Sequence, residues 1–181
     1  MDGLQLERRD ATGLDDVRHE LLDVYAEIYA DRLSEDFHGI ERFDERLGWN
    51  TEVPGFAAVV GYLDGTPIGY AYGCTLLPAD TRWWNGLLTP VPDGATVETG
   101  ARTFALSELM VVDKFRGTGA ARKIHDELLR GRPEERVTLL VERDHPKVRG
   151  LYETWGYAWF GEVQPFADAP LYDSMNLRLR P

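Results

Sequence analysis

The chain of 181 residues has a single cysteine, Cys74, so no internal disulfide can form. Set in the small, apolar run Tyr70-Ala71-Tyr72-Gly73-Cys74, it reads as a buried packing residue rather than a nucleophile. Long apolar runs are missing too: no stretch of about 18 such residues occurs, which excludes a membrane-spanning helix. Met1-Asp2-Gly3-Leu4 lacks the basic-then-apolar layout of a secretory signal, and a cytoplasmic location is the expectation. Positive charge is scarce, with 20 Lys and Arg against 31 Asp and Glu and a net charge of -11. That balance argues against nucleic acid or an anionic membrane as partner and suits a cationic substrate. The histidines His19, His38, His125 and His145 are scattered, and no pair of them has ligand spacing with an acidic partner on a common face. No metal site is therefore expected, and His19 and His125 fall in helical stretches where surface exposure is the simpler reading. A Ser or Cys nucleophile paired with histidine is equally unsupported.

What is present is the composition of a globular protein, 43% hydrophobic and 28% charged, at a length that suits one domain over residues 1–181. Leu4 and Leu6 suggest a short first strand. A helix then starts near Thr12, Asp15 and Asp16, with the stripe Leu14, Val17, Leu21, Val24/Tyr25, Ile28. A weaker helical stretch covers Ile40 to Leu47 and is ended by Pro54-Gly55. Phe56 to Leu63 and Ile68 to Leu77 are strand-like and joined through Asp64-Gly65-Thr66-Pro67, a hairpin signal. Residues 78–102, with Pro78, Pro90, Pro92 and the pair Trp83-Trp84, break the pattern and read as a long loop or insertion of functional or mobile character. Beyond it come a strand to Val112, a helix from about Gly117 to Arg130, a strand Val137 to Glu142 and a helix Pro146 to Trp155 stopped by Gly156. The strands Tyr157 to Val163 and Tyr172 to Leu179 close the order, an α/β layout with a mixed sheet.

The richest signal is the passage from Phe104 to Arg122. Phe104, Leu106, Met110 and Val112 alternate with Ala105, Leu109 and Val111, giving a largely buried strand with one misfit, Glu108. From Ala120 the period changes to Ala121, Ile124, Leu128, which is helical. Gly117 and Gly119 between them allow close backbone approach to a ligand. The free N–H groups and positive dipole end of the helix, with Arg116 beside them, favour a phosphate-bearing one. Two phosphate loops can be set aside: Arg122 stands where a dinucleotide fingerprint needs Gly or Ala, and the Gly-Lys-Ser/Thr of a Walker loop is absent.

Arg116-Gly117-Thr118-Gly119-Ala120-Ala121 resembles the signature of the GNAT superfamily of acyl-CoA-dependent N-acetyltransferases, Arg/Gln-x-x-Gly-x-Gly/Ala at the turn from the fourth strand into a helix. Downstream, His145 to Tyr157 is similar to that family's Asn-x-x-Ala-x-x-x-Tyr-x-x-x-Gly-Phe/Tyr: Tyr152, Gly156 and Tyr157 match, while His145 and Val148 replace the asparagine and alanine. The resemblance runs from Leu4 to Leu179 and implies a single-domain GNAT fold. Such a fold has a mixed, mostly antiparallel sheet of six to seven strands, splayed between strands 4 and 5 and flanked by about four helices. It implies acetyl-CoA as co-substrate and no metal. The pantetheine arm would lie along the fourth strand on the backbones of Leu109, Met110 and Val111. The pyrophosphate would rest on Arg116, Gly117, Thr118, Gly119, Ala120 and Ala121, with His145 and Arg149 further along the cofactor and Arg122, Lys123 and Arg149 as partners for outer phosphates.

Acyl transfer to an amine needs the amine neutral, the carbonyl polarised and a proton for the departing thiolate. Glu108, a lone carboxylate in an apolar strand, is the candidate base, or else a group that orients the substrate. By resemblance Tyr152 is the general acid, although its place on the stripe with Val148, Leu151 and Trp155 also suits a core aromatic. A backbone N–H near Met110 or Val111 would polarise the thioester. Tyr25, Tyr29, Phe37, Trp83 and Trp84 are candidates to line the amine pocket; the tyrosines also suit the core and the tryptophans a second subunit. The expected reaction is acetyl transfer from acetyl-CoA to a primary amine of a small molecule or peptide, in a homodimer. The alternatives are a non-catalytic acyl-CoA-binding or sensing module and an interaction protein that uses the Trp83-Trp84 loop.

Overall fold

Asp10 ends the first strand, β1 (Gln5–Arg9), and starts the helical region, because its side chain accepts from the Gly13 N–H at 2.8 Å. The expected helix is therefore broken in its first turns: α1 (Ala11–Leu14), a tighter turn over Asp15–Val17, then α2 (Arg18–Ile28). The computed structural model describes residues 3–78 and 82–179. Met1 and Asp2, where the signal-peptide reading begins, and residues 79–81 of the expected loop lie outside the described residues.

α3 (Ile40–Thr51) runs a turn beyond the expected stretch. The hairpin of β2 (Ala57–Leu63) and β3 (Thr66–Thr75) turns on Asp64 and Gly65 alone, both at positive φ. Thr66 and Pro67, expected in the turn, belong to β3, with a register shift at Gly61/Tyr62 opposite the proline. Then follow α4 (Arg82–Asn85), β4 (Thr103–Val111), a turn over Asp113–Phe115, α5 (Ala120–Leu129), β5 (Arg136–Glu142), α6 (Pro146–Thr154), β6 (Ala158–Val163) and β7 (Tyr172–Arg178). The seven strands are ordered β1-β2-β3-β4-β5-β7-β6. β1–β2, β2–β3, β5–β7 and β6–β7 pair antiparallel, and β4–β5 pair parallel. The parallel ladder spans Thr103↔Arg136 to Ala105↔Thr138, and β4 continues past it to Val111. With four helices of nine or more residues among the described residues, this is the expected mixed, mostly antiparallel α/β architecture.

By its contacts the chain forms two compact units. The first, Met1–Cys74 with Leu106–Gly131, has its core in Leu14, Leu21 and Tyr25 of the N-terminal helices, Phe43 and Leu47 of α3, Tyr70 and Tyr72 of β3, and Ile124 and Leu128 of α5. Full burial of each large aliphatic among them contributes about 1.5–3 kcal/mol. Gly69 is fixed by packing: a Cβ there would stand 2.4 Å from the Met110 carbonyl oxygen, so only glycine lets β3 press this closely on β4. Cys74 is buried as expected, its Sγ 3.5 Å from Asn50 Oδ1.

The second unit, Thr75–Ala105 with Arg132–Pro181, is built on Phe104, Val137, Leu139, Val163 and Met175. Its long connection is tied down rather than loose. Leu88 N–H donates to Glu162 O at 2.8 Å, Gln164 N–H to Gly86 O at 2.9 Å, and Trp84 is buried with its ring centroid 5.3 Å from that of Phe160. No helix among the described residues is long and apolar enough to cross a membrane.

Candidate active site

β4 changes character along its length. Thr103 to Leu106 are buried, whereas Ser107, Glu108, Leu109 and Met110 are half-exposed before burial resumes at Val111. The largely buried strand expected from the sequence is thus uncovered at Leu109 and Met110, two of the three residues to which the resemblance gave the pantetheine arm, while Val111 is buried. The chain then leaves through exposed Arg116, Gly117, Thr118 and Gly119 into α5. Gly117 (φ 74°) and Gly119 (φ 85°) are left-handed, and a Cβ on either would meet no atom within 4 Å. Gly119 is the N-cap of α5, and no side chain caps the helix. First-turn N–H groups without a side-chain cap, reached across bare glycine, fit an anionic pyrophosphate. Arg116 is less available than expected: its N–H donates to Asp113 O at 3.1 Å and its guanidinium pairs with Asp113 at 2.8 Å.

Glu108 is 18% exposed at its side chain, and Arg46 of α3, at 10%, faces it with Nη2 3.9 Å from Oε1. Arg46 is held by other contacts: Nη1 donates to Phe37 O at 2.7 Å, and the guanidinium lies 4.1 Å from the Phe37 ring centroid. Burial works against its charge, and Glu108, helped by Tyr25 and Tyr72, outweighs this, so the guanidinium is held above its ordinary value. Tyr70 and Tyr72 of β3 belong to the same electrostatic group. Burial drives both phenols well above their usual range, and Glu108 pushes each further the same way. Both therefore stay neutral, and neither can serve as a base near neutral pH. The Tyr70 hydroxyl is buried with no hydrogen-bond partner.

Arg46 escaped the sequence reading, although its place three residues after Phe43 and one before Leu47 puts it on the buried face of α3. Asn50 escaped as well: it accepts from Ser107 Oγ at 2.7 Å and so links α3 to the half-exposed part of β4. Of the residues proposed for the amine pocket, Tyr25 is 1% exposed, stacked on Phe43 at 3.9 Å and 4.6 Å from Tyr29. Its placement matches the packing alternative; Tyr29 is half-buried.

The second unit holds the other candidates. Tyr152 is 7% exposed, with Trp155 and Tyr157 edge-on at 5.2 and 5.3 Å. The rest of its expected stripe does not share that burial, since Val148 and Leu151 are 40% and 45% exposed. Arg149 forms ion pairs with Glu153 (3.0 Å) and Asp173 (2.8 Å). His145 Nε2 lies 3.5 Å from Asp144 Oδ1 and 3.9 Å from Glu142 Oε2, the three ligand atoms within 4.8 Å of one another. His125, expected at the surface, is buried beside Asp126; burial lowers its pKa and Asp126 partly offsets this. Trp84 donates its indole N–H to Glu98 at 3.0 Å and is core, while Trp83 is half-buried against it with Nε1 lacking a hydrogen-bond partner.

A family model described as "Acetyltransferase (GNAT) family" matches residues 15–157. No curated protein matches the sequence. Among solved structures, an acetyltransferase from Thermus thermophilus is similar at 16% identity and a TM-score of 0.67, covering 97% of each chain. The ribosomal-protein-S18-alanine N-acetyltransferase from Escherichia coli follows at 13% and 0.63, covering 98% of this chain and 95% of its own. The PaiA N-acetyltransferase from Thermoplasma acidophilum, in complex with coenzyme A, matches at 10% and 0.57, covering 97% of this chain and 98% of its own.

Proposed function

The chain belongs to the GNAT acetyltransferase family and is an acyltransferase; on that premise we propose that residues 1–181 act as one domain that acetylates a primary amine of a small molecule or peptide. The observation that carries this reading is the half-exposed run Ser107–Met110, with Glu108 in it, leading to the uncapped N-terminus of α5. The PaiA neighbour with coenzyme A bound supports acetyl-CoA as co-substrate, and the S18-alanine neighbour supports an amine acceptor.

Acetyl-CoA supplies the acyl group as a thioester. Gly117 to Ala121 hold its pyrophosphate by backbone N–H groups, and the backbones of Leu109, Met110 and Val111 hold the pantetheine arm. A Met110 or Val111 N–H donates to the thioester carbonyl oxygen. Glu108 takes a proton from the acceptor ammonium, the neutral amine then forms the C–N bond as C–S breaks, Tyr152 gives a proton to the departing sulfur, and the second proton lost from nitrogen returns to the Tyr152 oxygen through water. His145 and Arg149 reach the cofactor only by leaving the acidic partners described above. A cytoplasmic homodimer is part of the same proposal, and sedimentation of the purified protein reads its mass.

Thermal unfolding with and without CoA, paired with thiol release over a panel of primary amines, tests the reading. CoA at 100 times its Kd is expected to stabilise the fold by about 2.7 kcal/mol. Glu108→Gln and Tyr152→Phe are each expected to lower kcat by about 10²–10⁴-fold while leaving that stabilisation in place. Full turnover in Tyr152→Phe would remove the acid role, CoA binding without turnover on any amine would favour a sensing module, and no stabilisation would reject the cofactor.

A further inference from the structure

We propose that Arg46 is a positioning residue for the reaction, a fixed counter-charge that holds Glu108 as a carboxylate aimed at the incoming amine. The inference rests on the role given to Glu108 above. Three features of the geometry carry it. First, the guanidinium does not depend on Glu108 for its place, because the Phe37 carbonyl and the face of the Phe37 ring fix it from α3's own side. Second, at 3.9 Å the contact with Glu108 Oε1 is too long for a hydrogen bond yet close enough for strong attraction in a poorly hydrated setting. At that contact Arg46 thus acts on Glu108 through its charge rather than through a hydrogen bond. Third, Tyr25 of α2 and Tyr70 and Tyr72 of β3 share this electrostatic environment but bring no positive charge, whereas the Arg46 guanidinium brings one to within 3.9 Å of the carboxylate.

The role is chemical rather than merely structural. A carboxylate in this surrounding without a counter-charge would favour its protonated form. It would then neither attract an ammonium nor accept its proton. Arg46 reverses that preference, and the reversal widens the acid side of the working pH range.

The test is a carboxyl ¹³C NMR titration of protein labelled at glutamate, with the Glu108 signal assigned by its loss in Glu108→Gln. Arg46→Gln, which keeps a donor for the Phe37 carbonyl, is expected to raise the Glu108 midpoint by about one pH unit, a tenfold gain in proton affinity. Arg46→Met provides the same comparison if Arg46→Gln does not fold. Arg46→Lys, which keeps the charge, is expected to leave the midpoint within about half a unit of the native protein. With any amine that turns over, the acid limb of kcat/KM is expected to move by the same step. An unmoved midpoint in Arg46→Gln overturns the proposal, and does so without touching the function if Glu108→Gln has lost turnover. A fully active Glu108→Gln overturns both readings together.

Discussion

The two units of the chain bury carboxylates in opposite ways. In the second unit Glu134 is 1% exposed and receives both arms of Arg132, with Nε to Oε2 at 3.0 Å, and the Thr75 hydroxyl at 2.7 Å. Glu98 of the same unit takes Trp84 Nε1, Thr103 Oγ1 and Arg136 Nη2 on Oε1 at 2.9–3.1 Å, while its Oε2 is buried with no hydrogen-bond partner among the described residues. In the first unit Glu108 lies half-exposed on β4, 3.9 Å from a guanidinium that other groups hold. Buried carboxylates tied by several hydrogen bonds to a guanidinium and to hydroxyl or indole donors fasten segments together. Glu108, on a strand that opens to solvent, instead faces its guanidinium at a distance too long for a hydrogen bond, and the role proposed for it rests on that difference.

Breaking the hydrogen-bonded side should give the largest effect on stability. Arg132→Met leaves Glu134 buried without its counter-charge and is expected to cost about 3–5 kcal/mol, seen as a lower denaturation midpoint, while replacing Arg132 and Glu134 together by apolar residues costs less. If the single change is tolerated without loss, the pair is not a fastening and the contrast with Glu108 fails.

Acid sharpens the same point. Burial pushes the Glu134 carboxyl up, but hydrogen bonds from Arg132 and Thr75 outweigh it and hold the group below its ordinary value. A carboxyl with a lowered folded-state pKa stabilises the fold above the unfolded value of about 4.3, and that contribution is lost as pH falls through the folded value. Thermal scans from neutral pH downwards should therefore show stability falling below about pH 5. The fall should be shallower in Arg132→Met, and equal slopes would show that Arg132 does not hold the group down.

Tyr70→Phe should have the smallest effect. It removes a buried hydroxyl that has no hydrogen-bond partner, so the unfolding free energy is expected to stay level or rise by up to about 1 kcal/mol. A marked loss of turnover in a stable Tyr70→Phe protein would instead show that substrate or a bound water uses that hydroxyl.

Much of this molecule can be read from local patterns. The alternation before Val112 and the change of period at Ala120 place β4 and α5, and the two glycines between them take up left-handed conformations where an uncapped helix begins. Other features depended on details that periodicity blurs. The helical stripe from Leu14 to Ile28 looks continuous, yet Asp10 caps a short helix and the chain tightens at Asp15–Val17 before α2 starts. His125 has a helical position that suggests exposure yet lies buried on α5 with Ile124 and Leu128, and Trp84, proposed for the amine pocket or a second subunit, is buried with Glu98 and Phe160.

The sequence by itself determined the family and the glycine turn on which the proposed cofactor cradle rests, because a strand-to-turn-to-helix transition with glycine at fixed offsets is written in neighbouring residues and set by backbone conformation. It also singled out Glu108, since a carboxylate in an apolar strand is conspicuous in any fold. Only the tertiary structure decided what surrounds that carboxylate. Arg46, Tyr70 and Tyr72 come to Glu108 from α3 and β3, and no local rule of spacing pairs groups so far apart in the chain. Through-space electrostatics depends on distance and burial, and those exist only once the chain has folded.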